Sequence, residues 1–169
     1  MKGRKRHLLV DTQGLIVQVL VHQAGMQDHA GGKHLLWPLH GRLPRMQLIW
    51  ADSAYQKGGF VEWVKQMLGW TVEIVEHPWS GRRGVWVPEG TVIDWEKIRP
   101  SGFHVLPRRW VVERTFAWLS MWRRLSKDYE LLPSSEEAWI CVAMISILLR
   151  RLARPSEAGF ESKKQAHAA

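Results

Sequence analysis

Met46-Gln47-Leu48-Ile49-Trp50-Ala51-Asp52-Ser53-Ala54-Tyr55 is the stretch whose reading decides the fold. Met46 to Trp50 reads as a short apolar strand of the kind buried at the centre of a sheet. It runs straight into Asp52. Active sites in open sheets gather at the carboxyl ends of strands. A carboxylate there suits a hard cation, because Mg²⁺ takes oxygen ligands and only one or two carboxylates. The alternative for Asp52 is an aspartate that caps the next turn.

On the amino-terminal side, His7 to Asp11 and Leu15 to Val21 read as two strands. The turn Asp11-Thr12-Gln13-Gly14 joins them into a hairpin. Asp28 suits the N-cap of a helix through Leu35, Leu36 and Leu39, which Pro44 closes. On the other side, Gly59 to Leu68 reads as a helix, with Phe60, Trp63, Val64 and Met67 at helical spacing. Thr71 to Val75 is a further strand. Residues 77–103 carry repeated Pro and Gly and three Trp (Trp79, Trp86, Trp95), so an irregular insertion is expected.

A long helix is expected over Arg108 to Leu125. Arg109, Glu113, Ser120 and Arg124 fall on one stripe of it, and apolar residues fill the inward faces. Glu113 therefore sits beside arginines, either as a site carboxylate or as half of an i,i+4 salt bridge with Arg109. Pro133 and Ser134 open a last helix, with Ser134 to Glu137 fitting a capping box. That helix is apolar on nearly every side from Ala138 to Leu149 and is expected to be buried. Residues 1–154 make one domain, and 155–169 are expected to be a disordered tail. A hairpin joined to later strands by helices implies an α/β fold, a mixed sheet flanked by helices.

The chain has 169 residues, 46% hydrophobic, with eleven Trp and a formal net charge of +8. Such a basic balance points to a polyanionic partner, DNA or RNA first. Lys2, Arg4, Lys5 and Arg6 form a basic run suited to phosphates, with a solvated terminus as the alternative. Arg114, Arg123 and Arg124 add candidate phosphate contacts, which position DNA without reading its sequence. The one cysteine, Cys141, lies in an apolar run and is expected to be buried and inert. No signal peptide or membrane span is expected. The eight histidines lack paired ligand spacing, so no zinc site is expected.

Several segments together resemble the DDE transposases of bacterial insertion sequences, most of all the family of insertion sequence five. They are Lys2-Gly3-Arg4-Lys5-Arg6-His7 with its hairpin, Trp50 to Tyr55, Leu106 to Phe116, and Arg123 to Tyr129. The resemblance covers Lys2 to Arg154 and implies the C-terminal part of an RNase H-like catalytic domain. It implies that Asp52 and Glu113 are the second and third catalytic carboxylates and metal ligands. Arg109 fills the arginine place of the Tyr, Arg, Glu, Lys signature. Leu106 and Ser120 stand where its Tyr and Lys would be.

The first carboxylate of such enzymes lies on a strand upstream of the basic segment. The fold here is therefore expected to lack its first strand, and the upstream frame of the same element is expected to supply it. Asp11 precedes a turn and is expected to serve the hairpin instead. The implied activity is cleavage and strand transfer of DNA with a two-metal Mg²⁺ site, inactive in this chain alone. Implied partners are transposon-end and target DNA and a second copy in a homodimer, in a bacterial cytoplasm and nucleoid. The alternative is a non-catalytic DNA-binding remnant or regulator of transposition. An RNA-binding module ranks last, because its aromatic strand signature is missing.

Overall fold

The structure, a computed structural model, describes residues 3–75 and 110–153. Strands β1 (Arg4–Val10) and β2 (Ile16–Gln23) pair antiparallel, with His7 opposite Leu20. Asp11 Oδ1 accepts from the backbone N–H groups of Gln13 and Leu15, both at 2.8 Å. This Asx-type turn ends at Gly14, whose φ of 80° favours glycine. The hairpin is longer than its apolar pattern suggests, because Arg4, Lys5 and Arg6 belong to β1.

Helix α1 (Asp28–Leu36) starts one residue earlier than expected, with Gln27 as its N-cap. The Asp28 carboxylate makes no cap. It lies in the first turn and pairs with Lys5 Nζ at 2.9 Å, where the helix dipole favours negative charge. The helix also ends well before Pro44. Pro38 has no N–H to continue the ladder, and Trp37–Leu39 tighten into a 3-10 turn. Strand β3 (Leu48–Asp52) includes Asp52 as its last residue. Helix α2 (Phe60–Leu68) is bracketed by Gly59 and Gly69, both left-handed. Strand β4 (Thr71–Val75) runs parallel to β3, with Asp52 opposite Val75.

The described strands form two two-stranded sheets, one antiparallel and one parallel, rather than one continuous mixed sheet. They nevertheless share a core. Leu9 of β1, Leu35 and Leu36 of α1, Ile49 of β3, Val64 of α2 and Val72 of β4 pack as one cluster. Val64 is fully buried, which is worth about 1.5–3 kcal/mol by apolar transfer.

Helix α3 (Trp110–Ser120) is shorter than the expected run to Leu125. The backbone turns extended at Trp122, and Arg123–Leu125 form a 3-10 turn that buries Leu125. That break seats Leu125 beside Val21, Leu119, Ile140 and Ala143 in a second core cluster. Helix α4 (Pro133–Leu152) begins with Pro133 in its first turn and has no side-chain cap. The capping box is not made because its glutamates are engaged elsewhere. Glu137 Oε1 accepts from Val21 N at 2.7 Å, and Glu136 is buried against Arg6 and Arg4.

The expectation that α4 is buried all round fails. Ile140, Ala143 and Met144 are buried, whereas Val142, Ile145, Leu149 and Leu152 are exposed. Cys141 is exposed too, against the expectation of a buried thiol. Among the described residues no helix is long and apolar enough to cross a membrane. The expected insertion at 77–103 and the tail at 155–169 lie outside the described residues.

Candidate active site

Asp52 stands exposed where β3 ends and a 3-10 turn (Ser53–Gln56) begins. Its Oδ1 accepts from Ala54 N at 2.8 Å, so the carboxylate does cap that turn. The two sequence readings are therefore compatible: one oxygen fixes the turn, and a carboxylate has a second oxygen to offer a cation. Behind it, Trp50 Nε1 donates to Glu73 Oε2 of the neighbouring strand at 2.9 Å, tying β3 to β4 one pleat back from Asp52.

The turn that carries Asp52 is anchored by Tyr55. The Tyr55 hydroxyl is hydrogen-bonded to His7 Nδ1 at 2.5 Å. His7 in turn stacks on His22, with ring centroids 4.7 Å apart. Both imidazoles are buried, and their Nε2 atoms have no hydrogen-bond partner. His22 Nδ1 donates to Gln23 O at 2.8 Å. Burial, helped by the neighbouring His22, lowers the His7 pKa to about 4. Burial, with the charges of Asp52 and Asp28 behind it, raises the Tyr55 hydroxyl well above its usual range. A neutral His–Tyr pair thus sits under the Asp52 turn. Sequence reasoning missed it, although Gly31-Gly32 inside a helix was a usable signal of close packing.

Glu113 occupies the exposed side of α3. The opposite side buries Val111, Thr115 and Leu119. Helix α3 packs on β1, on the 3-10 turn at Arg123–Leu125 and on α4, so it belongs to the hairpin side of the molecule. Among the described residues no group of three or more His, Cys, Asp or Glu is placed to hold a metal ion. The donor type at Asp52 and Glu113 fits Mg²⁺, being carboxylate oxygen at exposed positions. Arg109 lies outside the described residues, as does Lys2.

The remaining basic residues have definite places. Arg4 bonds Asp128 at 3.2 Å and Leu131 O at 2.6 Å. Arg6 pairs with Glu136 and donates to Leu125 O at 2.9 Å. Lys5 holds Asp28 and donates to Met26 O at 2.9 Å. Arg114 donates to Gln13 O at 2.8 Å and stacks over Trp110 and Trp118, at 4.2 and 4.8 Å. Arg124 pairs with Glu130. Arg4 and Arg6 tie the hairpin to α4, Arg114 ties it to α3, Lys5 ties it to α1, and Arg124 pairs within the segment ahead of α4. Arg123 is exposed beside a pocket that also takes in Arg150 and Arg151; the latter two end the last helix in the sequence and were not among the expected phosphate contacts.

No curated protein and no solved structure matches the chain. A family model described as "Transposase DDE domain" matches residues 1–148. That span takes in the hairpin, the strand ending in Asp52, and the helix of Glu113. The chain belongs to the DDE-domain transposase family.

Proposed function

We propose that this chain is part of an RNase H-like transposase of the insertion sequence five type, and that Asp52 and Glu113 are two of its metal-holding carboxylates. The observation that carries the reading is the exposed Asp52 at the carboxyl end of a parallel strand pair, the place where open sheets carry their chemistry. A bound Mg²⁺ pair supplies charge neutralisation for phosphodiester cleavage and for attack by the freed 3′ hydroxyl. The chain's own contribution is to fix Asp52 at the strand end through Ala54 N and the Tyr55–His7 anchor. Arg109 orients Glu113 or a phosphate.

A third carboxylate comes from a further strand, encoded in the upstream frame of the same element. The two separate sheets support this reading, since β1 and β3 share a core without hydrogen-bonding each other. Strand edges that are unpaired among the described residues leave room for such a partner. The enzyme acts in the bacterial cytoplasm on transposon ends and target DNA. A second copy pairs along Val142, Ile145, Leu149 and Leu152, exposed at the spacing of a helix–helix seam. Sedimentation of the chain should show a dimer that Ile145→Glu dissociates; a monomer in both removes that pairing.

The purified chain should bind DNA and neither cut nor join it. Two carboxylates without a third do not hold both metals, whereas +8 net charge attracts phosphates. Affinity should fall steeply with added salt. Mg²⁺-dependent nicking of a plasmid by this chain, abolished in Glu113→Ala, is the result that contradicts the missing-ligand account. The second reading, a DNA-binding remnant or regulator, predicts the same binding but no activity after the upstream strand is restored.

A further inference from the structure

The end of α3 and the last turn of α4 border an open pocket of about 550 Å³, within the range of small-ligand sites. Its position follows from the break at Trp122. Helix α3 stops at Ser120, and Met121 is left 83% exposed. Trp118 and Trp122 form one wall, and Ile147, Arg150 and Arg151 of α4 form the other, with Arg123 at the rim. Among the described residues no carboxylate lines it. Arg151 stacks 4.8 Å over Trp118, leaving its N–H groups available. Arg123 and Arg150 are exposed and have no carboxylate partner among the described residues.

The chemistry is specific. Three guanidiniums make a strongly anion-selective rim, and guanidinium matches phosphate in a bidentate way. Indole and methionine surfaces beside them suit the flat face of a base that has left its stack. An acidic peptide would use the cations and leave the indoles idle. We propose that this pocket binds an unstacked nucleotide of a DNA strand, with phosphates on Arg123, Arg150 and Arg151 and the base against Trp122 and Met121, since Arg114 and Arg151 already stack over Trp118. The proposal rests on the transposase reading for its DNA. The same helix carries Glu113, five residues or roughly 8 Å along its axis from Trp118.

The test is fluorescence anisotropy on the full 169-residue chain in EDTA, with labelled dT10, an abasic 10-mer of equal charge, a 10-bp duplex, and a ten-residue polyglutamate as competitor. The expected result is at least fivefold tighter binding of dT10 than of the abasic strand. Arg123→Gln with Arg150→Gln should weaken dT10 binding at least tenfold at about 100 mM salt, a loss of phosphate contacts that also flattens the salt slope. Both side chains are exposed, so the fold is retained, and circular dichroism checks it. Trp122→Phe should keep most of the base preference. Equal binding of dT10 and the abasic strand overturns the proposal, as does a double variant within twofold of wild type, or polyglutamate competing as well as dT10. The failures separate cleanly. Duplex binding without base preference removes the pocket and leaves the transposase reading standing. Absence of all DNA binding removes the reading as well.

Discussion

Gly31 faces two imidazoles. A Cβ built there would lie 2.5 Å from His22 Nε2 and 2.6 Å from His7 Nε2, closer than atoms pack. Gly31→Ala should therefore destabilise the chain by about 1–3 kcal/mol, the usual cost of overpacking, as read by urea denaturation. His7 gives a second residue-scale expectation. Its folded pKa of about 4 lies below the ordinary 6.5, so the unfolded chain binds the proton more readily. The stability contribution is present above about pH 6.5 and is lost as pH falls towards 4, by at most about 3 kcal/mol. His22, Asp28, Lys5 and Asp52 all face the ring electrostatically, and Asp28 and Asp52 work against the shift. Denaturation midpoints between pH 7 and 4.5 should fall more steeply in the native chain than in His7→Gln. Parallel curves would show that His7 is not the group responsible. Asp52 was legible at this scale because a carboxylate after an apolar strand is a local pattern. The His7–Tyr55 anchor was not, because it joins residues 48 positions apart and no periodicity encodes such a contact.

Among the elements, the hairpin and α3 meet at one turn. Thr115 Oγ1 donates to Gly14 O at 2.8 Å, and a Cβ on Gly14 would come within 2.8 Å of that same hydroxyl. Gly14→Ala combines a left-handed backbone with this clash and should cost about 2 kcal/mol or more. Thr115→Val leaves the Gly14 carbonyl without that donor and should cost about 1–3 kcal/mol. Thermal melts of both variants measure this, and wild-type midpoints would show that the turn does not support α3. Apolar alternation and turn residues made the hairpin, β4 and α2 readable. Helix ends were harder. The Ser134–Glu137 pattern looks like a cap, but Val21 N and the arginines of β1 claim the glutamates. The run through Leu125 looks helical, but burial of Leu125 against Ile140 is served better by a break at Trp122. In both places a tertiary contact overrides a local preference.

At the scale of the whole molecule, the described residues divide into two small sheets sharing a core, with α3 and α4 gathered on the hairpin side. Family membership was legible because its motifs are short and ordered along the chain. The split of the sheet was not, since a strand's pattern says that it will pair and not with which neighbour. Asp52 and Glu113, the two ligands we propose, belong to no group of three or more metal-type side chains among the described residues. The most direct measurement is strand transfer, with Mg²⁺ and end DNA, by an extended product in which the proposed upstream strand is joined to this chain. Asp52→Asn and Glu113→Gln should each abolish joining while DNA binding survives, because each amide keeps the shape and loses the charge. Asp11→Asn should stay active, since Asn serves the hairpin turn about as well. Joining by folded Asp52→Asn, together with loss of joining in Asp11→Asn, would contradict the account.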